Sequence, residues 1–215
     1  MKRIKDYSLY LILSEEFTRQ RNILEVASQA IEAGIDILQM REKHKSQEEL
    51  IRLGDELSAL CTNKDIIFII NDDPMLAKRV GADGVHLGQQ DLTRYTINEA
   101  RDILGKDKMI GVSTHSIEEF KQANKSDCDY IAYGPIFPTA AKNYSIGIAD
   151  IEKVLAFSQK PIIFIGGINL DNVDTLLNKG AKIIAAIRAL LGAEDIRATI
   201  KKFKEKINIY KKEII

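Results

Sequence analysis

The chain is poor in the residues that announce special architectures. Its 215 residues include no tryptophan, two cysteines and four prolines. Cys61 and Cys128 stand far apart without metal-ligand or redox spacing. That excludes a disulfide scaffold, a zinc site built on paired cysteines and a dithiol centre; two buried thiols in a reducing compartment are expected instead. Neither sign of charge prevails: 31 basic residues face 31 acidic ones, so no bulk field draws nucleic acid or an anionic membrane. No apolar run approaches the ~20 residues that span a bilayer. The chain enters a strand-like run almost at once, leaving no room for a signal peptide. These absences predict a cytoplasmic protein with neither a nucleic-acid nor a membrane partner. Linkers and low-complexity tracts are missing as well, so residues 1–215 are expected to form one domain.

What the chain does have is alternation. Strand-like apolar runs occupy residues 7–13, 36–40, 66–70, 84–87, 109–112, 130–137, 161–165 and 181–187. Between them, apolar residues recur at three- and four-residue spacing, as in Leu50, Leu53, Leu57 and Leu60. Parallel strands with crossover helices follow, and eight units predict a single (β/α)8 TIM barrel of the α/β class. An open doubly wound sheet is the alternative. A small–acidic–apolar echo at helix-to-strand junctions, in Gly34-Ile35-Asp36, Gly81-Ala82-Asp83 and Asp127-Cys128-Asp129, with a last copy at Gly180-Ala181-Lys182, favours the barrel. The lysine-rich stretch 201–212 reads as a solvated amphipathic helix, spanning about 193–212, that buries Phe203, Ile207 and Tyr210.

Two strands end in bursts of polar side chains: Asn71-Asp72-Asp73, and His86 followed by Gln89, Gln90 and Asp91. Unpaired carboxylates at buried strand ends cost folding energy unless solvated, paired or holding a cation. Asp72 and Asp91 suit magnesium, which takes one or two carboxylates plus substrate phosphate oxygens. The other reading is a helix entry at Asp-Asp-Pro with Pro74 at the first helical position. In LQMREK, alternation puts Gln39, Arg41 and Lys43 on one face as a polyanion clamp, with Met40 and Glu42 opposite. Strand five exits through Ser113, Thr114 and His115, followed by a capping-box pattern at Ser116 and Glu119. Strand six exits through Gly134 and Pro135 to Thr139 and Lys142. Gly166-Gly167, after strand seven, and the Ile187-Arg188 turn resemble a barrel phosphate cradle, although close packing also needs glycine. No Ser-His-Asp set, nucleophilic cysteine signature or Schiff-base lysine stands out. A metal pair, two anion sites and no nucleophile point to stabilising a departing pyrophosphate while a second phosphorylated molecule attacks.

The ordered motifs LQMREK, INDD, GADGVHLGQQD, GVSTHS, YGPIFPT-x-x-K and IGGI resemble those of the thiamine phosphate synthase family, over roughly residues 10–195. The resemblance implies a transferase that joins 4-amino-5-hydroxymethyl-2-methylpyrimidine diphosphate to hydroxyethylthiazole phosphate through a dissociative, carbocation-like pyrimidine intermediate. It implies Gln39, Arg41, Lys43 and Asn71 on the pyrimidine diphosphate, Asp72 and Asp91 on Mg2+, and Ser113 and Lys142 on the pyrophosphate. His115 lines the site, and Thr139, Gly167, Ile187 and Arg188 receive the thiazole phosphate. Arg41, Lys43, Ser113 and Lys142 would carry the catalytic roles. Three departures stand out: Ala141 where the family has a hydroxyl residue, a shorter stretch from Lys142 to Gly147, and Arg188 in place of a small residue. Two rival readings remain: a thiazole tautomerase of the related TenI type, using His115, and a regulator that binds thiazole phosphate without catalysis.

Overall fold

The computed structural model describes residues 2–139 and 144–212. Eight parallel strands close into a barrel in chain order: β1 (Ser8–Leu13), β2 (Ile37–Met40), β3 (Ile67–Asn71), β4 (Gly84–Leu87), β5 (Met109–Thr114), β6 (Tyr130–Tyr133), β7 (Ile162–Ile165) and β8 (Ile183–Ala186). β1 pairs with β2 on one side and with β8 on the other, so the ring has no edge and the open-sheet alternative falls. Helices α1 (Ile23–Ala33), α2 (Gln47–Thr62), α3 (Pro74–Arg79), α4 (Ile97–Leu104), α5 (Ile117–Lys125), α6 (Ile151–Phe157), α7 (Val173–Leu177), α8 (Arg188–Leu191) and α9 (Ile196–Lys212) follow the strands.

Alternation along each strand divides two cores. Leu9, Leu11 and Leu13 of β1 join the shell between sheet and helices, while Tyr10 and Ile12 point inside the barrel with Ile37, Ile67, Ile69, Met109 and Tyr130. Side chains fill the interior, so the chemistry is confined to the rim. Helix starts are set locally. Ser46 and Thr96 form capping boxes with Glu49 and Glu99, and Asp73 accepts from the backbone of Leu76 with Pro74 behind it. α9 buries Ile196, Ile200, Phe203 and Ile207, with Tyr210 half-buried and bonded to Asn178. Cys61 and Cys128 are both buried.

The echo at the strand starts has a structural cause. The Asp36 carboxylate accepts the backbone N–H of Leu9 at 2.7 Å and pairs with Lys204 at 2.6 Å. Asp83 does the same for Phe68 at 2.9 Å and Lys2 at 3.0 Å, and Asp129 for Ile110 at 2.7 Å and Arg101 at 2.6 Å. Each acid enters an even-numbered strand and satisfies the start of the preceding odd one. The fourth junction lacks the acid: Lys182 instead meets Asp6 on the surface at 2.7 Å.

Two sequence expectations need correction. β6 stops at Tyr133 rather than running to 137, because Pro135 has no N–H to continue the ladder. Ser116 caps α5 at 3.1 Å, but the capping box is only half made, since Glu119 reaches the N–H of His115 at 2.6 Å instead.

Candidate active site

The C-terminal rim gathers the exits of β2, β3, β4 and β5. At β2 the inward face carries Gln39 and then Arg41. Gln39 is buried and donates to the Tyr10 hydroxyl at 2.7 Å. Arg41 is half-buried, and its N–H extends the ladder to Leu13 at 2.9 Å. Lys43 is exposed on the rim. Glu42 turns the other way and accepts from the N–H of Glu15 at 2.6 Å.

At β3 the chain leaves Asn71 and enters a left-handed residue, Asp72 (φ 67°). Its N–H donates to the carbonyl of His86 at 2.8 Å, which ties the β3 exit to β4. Asp73 is used up as the α3 cap, so the helix-entry reading accounts for Asp73 and Pro74 but not for Asp72. The carboxylate of Asp72 accepts from the Asn71 amide and shares one cleft with Asp91. Asp91 is held by the N–H of Gly88 at 3.2 Å, and a Cβ at residue 88 would sit 2.7 Å from the carboxylate oxygen, so a larger residue there would displace the carboxylate. Burial, then the bond and charge of Asp91, push the Asp72 carboxyl up to about 7, against the opposing pull of Lys43 and Arg41. Two carboxylates this close need a proton or a cation between them. The donor set fits a hard ion completed by substrate oxygens; among the described residues no group of three His, Cys, Asp or Glu forms a closed cage. A cleft of about 320 Å³ opens here, lined by Lys43, Asn71, Asp72, Asp91 and Arg94 among others. Arg94, which follows the short 3-10 turn Asp91–Thr93, was not anticipated from the sequence; a cation three residues beyond Asp91 was the available signal.

At β5, Ser113 is half-buried with its hydroxyl 2.8 Å from Nε2 of His86, while Gln89 clamps its carbonyl at 2.5 Å. His86 is buried, stacks on Tyr130 and touches its hydroxyl through Nδ1 at 3.2 Å; burial pushes its pKa down to about 4. Thr114 is consumed by the carbonyl of Ala132 at 3.0 Å. His115 bonds the carbonyl of Gly134 through Nδ1 at 2.5 Å and meets the edge of Tyr144 at 6.4 Å between centroids.

On the far side, Thr139 is half-buried in the loop after β6; Ala141 and Lys142 lie outside the described residues. Gly166 and Gly167 have φ of 102° and 65°. Cβ atoms there would meet Pro135 at 2.4 Å and the carbonyl of Pro138 at 2.6 Å, so the pair lets the β6 and β7 loops touch. Ile187 precedes α8, and the exposed guanidinium of Arg188 lies over the ring of Phe17 at 4.6 Å.

Comparison with known proteins decides the family. The family model described as thiamine monophosphate synthase matches residues 9–190. The chain belongs to the thiamine monophosphate synthase family. It is 42% identical over 203 residues to the thiamine-phosphate synthase of Halalkalibacterium halodurans, covering 93% of this chain and 95% of that protein. It is 40% identical over 198 residues to that of Shouchella clausii, covering 91% and 93%. The solved thiamine phosphate pyrophosphorylase from Pyrococcus furiosus superposes with a TM-score of 0.86 at 33% identity, over 95% of this chain and 96% of that one. The polar rim from Arg41 to Thr139 thus lies within the matched span of a transferase family.

Proposed function

We propose that this protein is a thiamine phosphate synthase whose diphosphate site is the cleft between the β2, β3 and β4 exits. The observation that carries the proposal is a single cleft lined by Asp72, Asp91, Lys43 and Asn71, within a chain of this family. Small phosphorylated molecules are the substrates. Arg41 offers a forked donor and Lys43 a point charge to the diphosphate of the aminopyrimidine, with the Asn71 amide between them. Asp72 and Asp91 would hold Mg2+, which when bound offsets charge on the leaving pyrophosphate. Ser113 and Lys142 donate to the same leaving group. The C–O bond to pyrophosphate breaks, and the thiazole nitrogen of the second substrate forms the new C–N bond. Gln39 joins Arg41, Lys43 and Asn71 on the pyrimidine diphosphate, His115 lines the site, and Thr139, Gly167 and the Ile187-Arg188 turn receive the thiazole phosphate. With no nucleophile required, positioning and electrostatics supply the rate.

The test is direct. Purified protein given both substrates and magnesium should form thiamine phosphate and pyrophosphate, and chelation of the metal should stop it. Thiazole isomerisation without condensation would move the assignment to a tautomerase, and binding of thiazole phosphate without either reaction would move it to a regulator.

A further inference from the structure

Gln39, Tyr10, Tyr130, His86 and Ser113 come from β2, β1, β6, β4 and β5, yet they touch in series. The Gln39 amide lies 2.7 Å from the Tyr10 hydroxyl, and Tyr10 lies 3.3 Å from Tyr130. Tyr130 lies 3.2 Å from Nδ1 of His86, and Nε2 of His86 lies 2.8 Å from the Ser113 hydroxyl. Direction follows from what each group can do. An amide NH2 only donates, so the Tyr10 oxygen accepts; the buried Tyr10 hydrogen would be left unpaired unless it donates to Tyr130, which sets the direction of that contact. The Tyr130 hydrogen then passes to His86. That ring is buried, and its side-chain partners are two hydroxyls rather than a carboxylate. It therefore stays neutral, with a single N–H. With Nδ1 accepting, the N–H stands on Nε2 and donates to Ser113. One lone pair of the Ser113 oxygen is thereby taken, and its hydrogen, which cannot point back at the ring, remains to donate.

We propose that this interior chain is a one-way series of donors that fixes the Ser113 hydroxyl as a donor toward the leaving pyrophosphate, with His86 as the positioning residue. The inference rests on the role given to Ser113 above and deepens it. A hydroxyl without a partner would present its lone pairs to an anion freely; here one lone pair is taken by His86 and the hydrogen cannot point back at that ring, so rotation is narrowed toward donation before substrate arrives. The arrangement acts on the barrier rather than on ground-state affinity, because the donor gains most as charge collects on the departing oxygen.

The experiment has two arms. In unmodified protein labelled with 15N, two-bond proton–nitrogen correlation should find the proton of His86 on Nε2. A proton on Nδ1 would reverse the series and overturn the proposal. In the kinetic arm, His86→Leu should lower kcat about 10- to 100-fold with a smaller change in KM, the scale of one lost donor. His86→Gln, which can still donate to Ser113, should recover most of that loss. Ser113→Ala combined with His86→Leu should be no slower than Ser113→Ala alone. Additive losses would mean that His86 acts on something other than Ser113. A fully active Ser113→Ala would instead remove Ser113 from the pyrophosphate site, while the tautomer would still decide the direction of the chain.

Discussion

Asp72 is a half-buried carboxylate in a left-handed turn, sharing its cleft with a second carboxylate, Asp91. Its folded pKa of about 7 stands above the ordinary value of 3.8, with burial the larger cause and Asp91 the next. A proton is therefore held more tightly in the folded state. The stability it contributes is complete below the ordinary value and is lost as pH rises through 7. Without metal, Asp72→Asn should raise Tm relative to the parent at pH 8, and the difference should shrink toward pH 5. A cation competes with that proton, so magnesium should raise the parent's Tm more at pH 8 than at pH 6 and should leave the variant's Tm nearly unchanged. Condensation by the variant should be almost abolished. Equal magnesium shifts in parent and variant would remove Asp72 from the metal site. This residue was legible in the sequence because its chemistry is local: an acid at a strand end has few structural uses, and Asp73 already serves as the cap. The place of His86 was not legible. Tyr10, Tyr130 and Ser113 are remote in sequence, and only closure of the barrel brings them to its ring.

At the scale of elements, the acids at the strand starts do the reverse of the acids at the strand ends. Asp83 and Asp129 each satisfy a backbone N–H of the neighbouring strand and a cation at once. Removing either carboxylate orphans a buried donor. Asp83→Ala and Asp129→Ala should each cost about 1–3 kcal/mol of stability, with kcat unchanged, because the chemistry lies at the opposite end of the strands. Lys182→Ala at the acid-free fourth junction should cost under about 0.5 kcal/mol, as its pair with Asp6 is solvated. Denaturant titrations of the three variants separate these outcomes; equal losses in all three would make the clasps ordinary surface pairs. The repeat itself could be read from sequence, since it recurs at every second helix-to-strand junction. Its reason could not, because the N–H groups it serves belong to strands 15 to 27 residues upstream. Strand six was overrun for the complementary reason: apolar residues continue past Tyr133, but Pro135 withholds the hydrogen bond that a strand needs.

For the whole molecule, helix α9 covers the seam where the barrel closes. β1 and β8 meet at the seam of the ring, and α9 packs on α1, which follows β1, and on α7 and α8, which flank β8. Phe203 and Ile207 are fully buried in that contact, and Lys204 crosses to Asp36 at the entrance of β2. The final seventeen-residue helix thus fastens the first quarter of the barrel to the last. Its amphipathic face was visible in the sequence, whereas the surface it covers was not, because periodicity tells which side is buried but not against what. Phe203→Ala should remove a packed ring from this seam and cost about 3–5 kcal/mol. The loss should appear as a lower Tm and faster heat inactivation. At temperatures where the variant is folded, kcat for thiamine phosphate formation should match the parent, since Phe203 belongs to the shell between sheet and helices and not to the barrel interior. A fall in kcat without a fall in Tm would mean that α9 reaches the reacting rim, contrary to the separation of closure and chemistry argued from the two cores.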